Sequence, residues 1–244
     1  MKRLLFAVLF VFAPALANAD TPTVVIPASP VVGQEFVIHF EGNLLDGCGT
    51  EPMVQAQVVG NAITLNMPVT LCGATTIALP NPRSAVGKVT APGAYGLDAT
   101  FTRNGTVIAR RSLGSFTVRP APQVVRAAPR LDGLWNVPDR PGWGVRITEG
   151  ESGQLFIVWY TYESGTSRWY VSSNGLWTGA NEYSGAFFRV NGPGMGDYPA
   201  FDWAKGVRTP LGIMTVTSTG SDELVFKTTA PGLDYQWTLR RLVF

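Results

Sequence analysis

Residues 143–162 read Trp-Gly-Val-Arg-Ile-Thr-Glu-Gly-Glu-Ser-Gly-Gln-Leu-Phe-Ile-Val-Trp-Tyr-Thr-Tyr, and they decide the fold class. Trp143, Val145 and Ile147 alternate with Gly144, Arg146 and Thr148, the period of a strand with one covered face. Gln154–Tyr162 is apolar on both faces, as a well-covered central strand is. Working outward, Leu134–Asn136 precedes this pair, and Arg168–Ser172, Tyr183–Val190, Leu211–Thr217, Glu223–Thr228 and Tyr235–Val243 follow it. Ser164-Gly165 and Asn174-Gly175 are hairpin-length turns between such runs. About eight antiparallel strands in an up-and-down meander close into a small barrel, which removes sheet edges. An interior of that size either fills with side chains or holds one small ligand. The sequence leaves that choice open.

The aromatic residues stop abruptly at the start of this region. Residues 131–244 hold 19 aromatics, all seven tryptophans among them, whereas residues 20–120 hold five. So sharp a change of composition predicts two modules built on different packing. In residues 20–120, short β-type runs recur at Thr23–Ile26, Glu35–Glu41, Val54–Val59, Ala62–Met67, Thr75–Leu79, Tyr95–Thr102, Thr106–Arg111 and Ser115–Val118. Gly60-Asn61 and Asn104-Gly105 suit tight hairpins, and no window of helical period intervenes. Seven or eight short antiparallel strands in that length describe a β-sandwich. Pro122 and Pro129, with Pro120 just before them, mark residues 121–130 as a semi-rigid linker.

The ends and totals bound the function. Lys2 and Arg3, the apolar run Leu4–Ala13 and Ala17-Asn18-Ala19 have the pattern of a signal peptide, cleaved near Ala19. The expected location is periplasmic or secreted, with no membrane span. Without residues 1–19 the chain carries 17 basic and 17 acidic residues, which argues against a nucleic-acid partner. Cys48 and Cys72, an even pair in an exported chain, are expected to form a disulfide. The single histidine, His39, sits in the alternating run Phe36–Phe40 and is expected to be a passive strand residue.

Three resemblances add to this reading. Pro92-Gly93-Ala94-Tyr95-Gly96-Leu97 resembles the strand entry of immunoglobulin-like and fibronectin-like domains, where a tyrosine ties down a corner. Gly133-Leu134-Trp135 is similar to the Gly-x-Trp opening of lipocalin-like and avidin-like barrels. That likeness implies an arginine of the last strand, Arg240 or Arg241, packed across Trp135. Gly133–Pro138 with Gly142-Trp143-Gly144, Trp159–Tyr162 and Arg168–Val171 resembles a repeated domain of secreted proteobacterial proteins that has no assigned activity. Val137 and a single tryptophan before Asn136 depart from its pattern. The expected fold is all-β, an immunoglobulin-like sandwich followed by a small antiparallel barrel at residues 131–244.

The candidate site is the long connection Asn191–Pro210, which exceeds ordinary loop lengths. It carries Tyr198, Phe201 and Trp203 beside Asp197 and Asp202, a set suited to stacking on sugar rings and bonding their hydroxyls. Trp143, Trp159, Trp169 and Trp237 are expected in the barrel core and Trp135 as its plug, leaving Trp177 as a further ligand contact. A hydrolase would use two of Asp197, Asp202 and Glu163 at a glycosidase separation. No metal-ligand spacing, triad motif or cofactor motif is present, so no cofactor is expected. The favoured expectation is a non-catalytic exported protein whose barrel binds a glycan or a small apolar ligand. Its rivals are an envelope structural protein with a solid barrel and a loop-borne hydrolase; the sandwich is a candidate surface for a protein partner.

Overall fold

The computed structural model describes residues 23–41, 54–68, 82–191 and 207–243, and every regular element among them is a β-strand. The first seven are β1 (Val24–Ile26), β2 (Glu35–Glu41), β3 (Gln55–Val59), β4 (Ala62–Pro68), β5 (Pro82–Lys88), β6 (Gly93–Arg103) and β7 (Thr106–Val118). They form two sheets, ordered β1-β2-β5 and β3-β4-β6-β7. Strand alternation gives each sheet an apolar face, and the two faces share one core. Phe36, Ile38 and Phe40 from β2 meet Ile63, Leu65, Leu97 and Phe116 from the other sheet. At the start of β6 the Tyr95 hydroxyl donates to the Ala91 carbonyl at 2.9 Å. The pairing of β4 with β6 is parallel, not antiparallel as expected, because the chain crosses to β5 in the opposite sheet between them. Asn104 and Gly105 take positive φ values of 48° and 78°, the conformation of a tight hairpin joining β6 to β7.

The second group is β8 (Gly133–Asn136), β9 (Gly144–Glu149), β10 (Leu155–Glu163), β11 (Thr166–Ser172), β12 (Leu176–Gly179), β13 (Glu182–Asn191), β14 (Val207–Ser218), β15 (Glu223–Thr229) and β16 (Tyr235–Arg241). Eight of these close into an antiparallel barrel: β11 pairs β13, and β16 pairs β8. The ninth, β12, pairs with the first part of β13 beside the β11 seam. Period-2 alternation sends Leu155, Ile157 and Trp159 inward from β10, and it does the same for Leu224 and Phe226 from β15. Outward positions carry Arg146, Glu223, Lys227 and Arg240. An apolar inside and a charged outside reverse the pattern of a barrel that crosses a membrane. No helix among the described residues is long and apolar enough to cross one.

Around Trp159 the interior is filled by side chains. The Trp159 ring lies 4.9 Å from Tyr170, 5.6 Å from Phe226, 5.6 Å from Trp237 and 6.5 Å from Phe187, so side chains of five strands meet at one level. Trp135 is buried, and its indole N–H donates to the Leu131 carbonyl at 3.0 Å. Arg241, not Arg240, lies over it, the guanidinium carbon 4.3 Å from the ring. Trp169 corrects an expectation: it is 63% exposed on the outer face, and Tyr170 is the inward residue of that pair. Phe156 and Tyr162 are likewise exposed, so the outer face of β10 is only half covered.

The two groups of strands pack face to face. Val37, on the side of β2 opposite its core residues, is buried with Ile26 against Ala186, Phe188 and Ile213 of β13 and β14. Glu35 is buried in the same seam, and burial pushes its carboxyl above the usual range. His39 accepts or donates at Nδ1 with the Ser84 hydroxyl, 2.9 Å away, and burial lowers its pKa. The segment 121–130 contains no strand and lies against the barrel. Arg126 bonds Glu149, and the Ala127 N–H donates to the Ala180 carbonyl at 2.8 Å.

Candidate functional site

The barrel has two different ends. One is closed by Trp135 under Arg241, whose guanidinium also donates to the Asp132 carbonyl and to the Arg130 carbonyl at 3.0 Å. Glu149 sits beside this closure, accepting from Arg126 and from the Leu131 N–H at 2.8 Å. The other end gathers the last residues of β10 and β13 and the first of β9, β11 and β16, because neighbouring strands are antiparallel. It forms the mouth.

Two unlike walls face each other there. On β16, Tyr235 and Trp237 occupy alternate, inward positions. Phe226, Trp237 and Tyr235 make a continuous stack, with ring centroids 6.1 Å and then 5.0 Å apart and planes within 13° and 17°. The stack climbs from a fully buried phenylalanine to a tyrosine that is 41% exposed. Trp143 closes its side, edge-on to Trp237 at 5.5 Å. Tyr235 also meets Trp159 edge-on, with ring centroids 6.2 Å apart.

The opposite wall is polar. Thr161 and Glu163 follow Trp159 at inward positions of β10. Each oxygen of the Glu163 carboxylate is held by an arginine: Oε1 accepts from Arg189 at 3.0 Å, and Oε2 from Arg168 at 3.1 Å. Register creates this triad, since Tyr170 pairs with Arg189 across β11 and β13, and Thr161 with Arg168 across β10 and β11. The three side chains are a third or more exposed, so water screens the ion pairs and their contribution to stability is small. Among the described residues, the Thr161 hydroxyl and the Arg189 Nε–H are nonetheless buried without a hydrogen-bond partner. Buried polar groups are normally satisfied, which sets these two atoms apart from the ion-paired atoms of the same wall.

Of the residues singled out from sequence, Asp197, Tyr198, Phe201, Asp202 and Trp203 lie outside the described residues, as do Cys48 and Cys72. The connection that carries the first five leaves β13 at Asn191 and enters β14 at Val207, which pair with each other at this same mouth. Trp177 lies elsewhere, beside the closed end. Its indole N–H donates to the Gly153 carbonyl at 2.9 Å, the Arg126 guanidinium covers one face at 4.3 Å, and Tyr183 meets it edge-on. Tyr235, Thr161, Arg168 and Arg189 were not singled out. The alternation Tyr235-Gln236-Trp237-Thr238-Leu239 contained the stack, but nothing local pairs Glu163 with Arg189. Among the described residues no group of three or more His, Cys, Asp or Glu side chains is placed to hold a metal ion. No family model, curated protein or solved structure matches the chain.

Proposed function

We propose that this chain is an exported, non-catalytic binding protein whose barrel mouth takes a sugar ring of a glycan. The observation that carries this reading is the Phe226–Trp237–Tyr235 stack facing a wall that holds unpartnered Thr161 and Arg189 donors. A pyranose has one C–H-rich face for an aromatic ring and a rim of hydroxyls for such donors. The aromatic filling around Trp159 argues for a ligand at the mouth and against a small apolar ligand sealed in the interior. Both Glu163 oxygens are engaged by arginines, which suits a positioning role better than that of a general acid. Export rests on residues 1–19, and an interaction role for an immunoglobulin-like first module rests on its paired sheets and the Tyr95–Ala91 bond. A structural envelope role is the second reading, favoured by the same filled interior and by exposed Trp169.

Tryptophan emission during titration with soluble cell-wall and plant oligosaccharides tests the proposal. A binding sugar shifts the emission, and Tyr235→Ala weakens it about fivefold, the worth of one stacking contact near 1 kcal/mol. If no sugar moves the emission, or Tyr235→Ala binds as tightly as the parent, the mouth is not a glycan site.

A further inference from the structure

A second concavity lies where the two groups of strands meet the connecting segment, on the outer face of the barrel wall, whereas Tyr235 and Trp237 of the mouth are on the inner face. It is a cleft of about 470 Å³. Ile26, Pro27, Pro122 and Ile213 give it an apolar side, drawn from the first module, the connecting segment and the outer barrel wall in turn. Gln34 and Ser184 form part of its polar side. Gln34 is only 5% exposed and already oriented: its Oε1 accepts from the Val31 N–H and its Nε2 donates to the Ser184 hydroxyl, both at 3.0 Å. One amide hydrogen of Gln34 is left over.

Charge completes the picture. Arg119 and Lys227 both line the cleft, and neither forms an ion pair among the described residues. Among the described residues Arg119 spends only its Nε–H, on the Ser29 carbonyl at 3.2 Å. The one acid at the rim, Glu182, accepts the Thr178 hydroxyl at 2.6 Å. The cleft therefore has one positive charge in excess.

We propose that this cleft is a second ligand site, for a small molecule with an apolar body and a single anionic group. Its volume falls in the range of small-molecule pockets, which favour the junctions between structural units. The body would lie against Ile26, Pro27 and Ile213, and the anion would reach Arg119 and Lys227. Because an occupant touches both modules and the connecting segment, its binding stabilises their docked arrangement by mass action.

The probe is 8-anilinonaphthalene-1-sulfonate, an apolar body with one sulfonate, titrated into the full chain at low salt with octanoate and octanol as competitors. Saturable emission at one site is expected, displaced by octanoate about fivefold better than by octanol. Lys227→Gln and Arg119→Gln, both conservative and exposed, each weaken the probe about fivefold. Thr215→Phe, which fills the cleft, removes the signal, whereas Tyr235→Ala at the mouth leaves it intact. Non-saturable binding, equal competition by octanol, or loss of the signal in Tyr235→Ala overturns the proposal. Should Thr215→Phe fail to fold, an unchanged affinity in both charge variants overturns it equally.

Discussion

Replacing Glu149 by glutamine tests the knot that straps the connecting segment to the closed end of the barrel. The Glu149 side chain is 2% exposed and accepts from both terminal nitrogens of Arg126 and from the Leu131 N–H. Burial by itself would raise its pKa; the Arg126 and Leu131 hydrogen bonds and the charges of Arg126 and Arg130 outweigh that and hold it below 4.5. Glutamine keeps the shape and one acceptor oxygen but loses the charge and the second acceptor. A hydrogen bond to a charged group contributes about 1.5–3 kcal/mol, and Arg126 is 23% exposed and regains some hydration, so a loss of about 2 kcal/mol is expected. For a chain of this size that lowers Tm by about 4–8 °C. Because the folded pKa is depressed, the stabilisation is present above the unfolded pKa and vanishes as pH falls through the folded one. The gap between parent and Glu149→Gln, read by circular dichroism melts, should therefore be full near neutrality and shrink in acid. Melting points within about 1 °C of each other at neutral pH, or a gap that persists unchanged in acid, would refute the reasoning.

Three further outcomes are expected. Gly144→Ala places a methyl 2.6 Å from the Trp135 carbonyl oxygen, backbone that cannot move aside, and should destabilise by about 1–3 kcal/mol in urea unfolding. Glu35→Gln should raise the melting temperature at neutral pH: burial raises the Glu35 pKa, so the ionised form penalises the fold, and the gain should disappear once acid protonates the parent. Burial pushes the Tyr183 phenol up to about 12, so an absorbance titration of the folded protein minus that of Tyr183→Phe should show one phenol ionising near there; a difference centred near 10 contradicts the burial.

What could be read from the chain and what could not divide along a physical line. Glu35–Glu41 was legible to the residue because the large apolar side chains Phe36, Ile38 and Phe40 recur at every second position. The hairpins at Asn104-Gly105 and Ser164-Gly165 were legible because few residues accept a positive φ. Strand β5 was missed because Pro82–Lys88 has weak alternation, and β12 because four residues hold too little pattern. The start of β14 at Val207 was also missed, four residues before the expected Leu211, which shortens the long connection to residues 192–206.

Alternation within one strand is a local property, so the sequence by itself determined an all-β chain, most strand positions and the aromatic richness of the barrel. It could not say which face of an apolar strand turns inward, since a period of two is unchanged when both faces are exchanged. Tertiary closure decided that Tyr170 faces in and Trp169 out, and that Val37 is buried in a seam between modules. Register across strands then brought Glu163 to Arg189, 26 residues on, and raised Tyr235 at the end of a stack. The mouth and the cleft both consist of residues distant in sequence, and only the packing of strands and modules makes them neighbours.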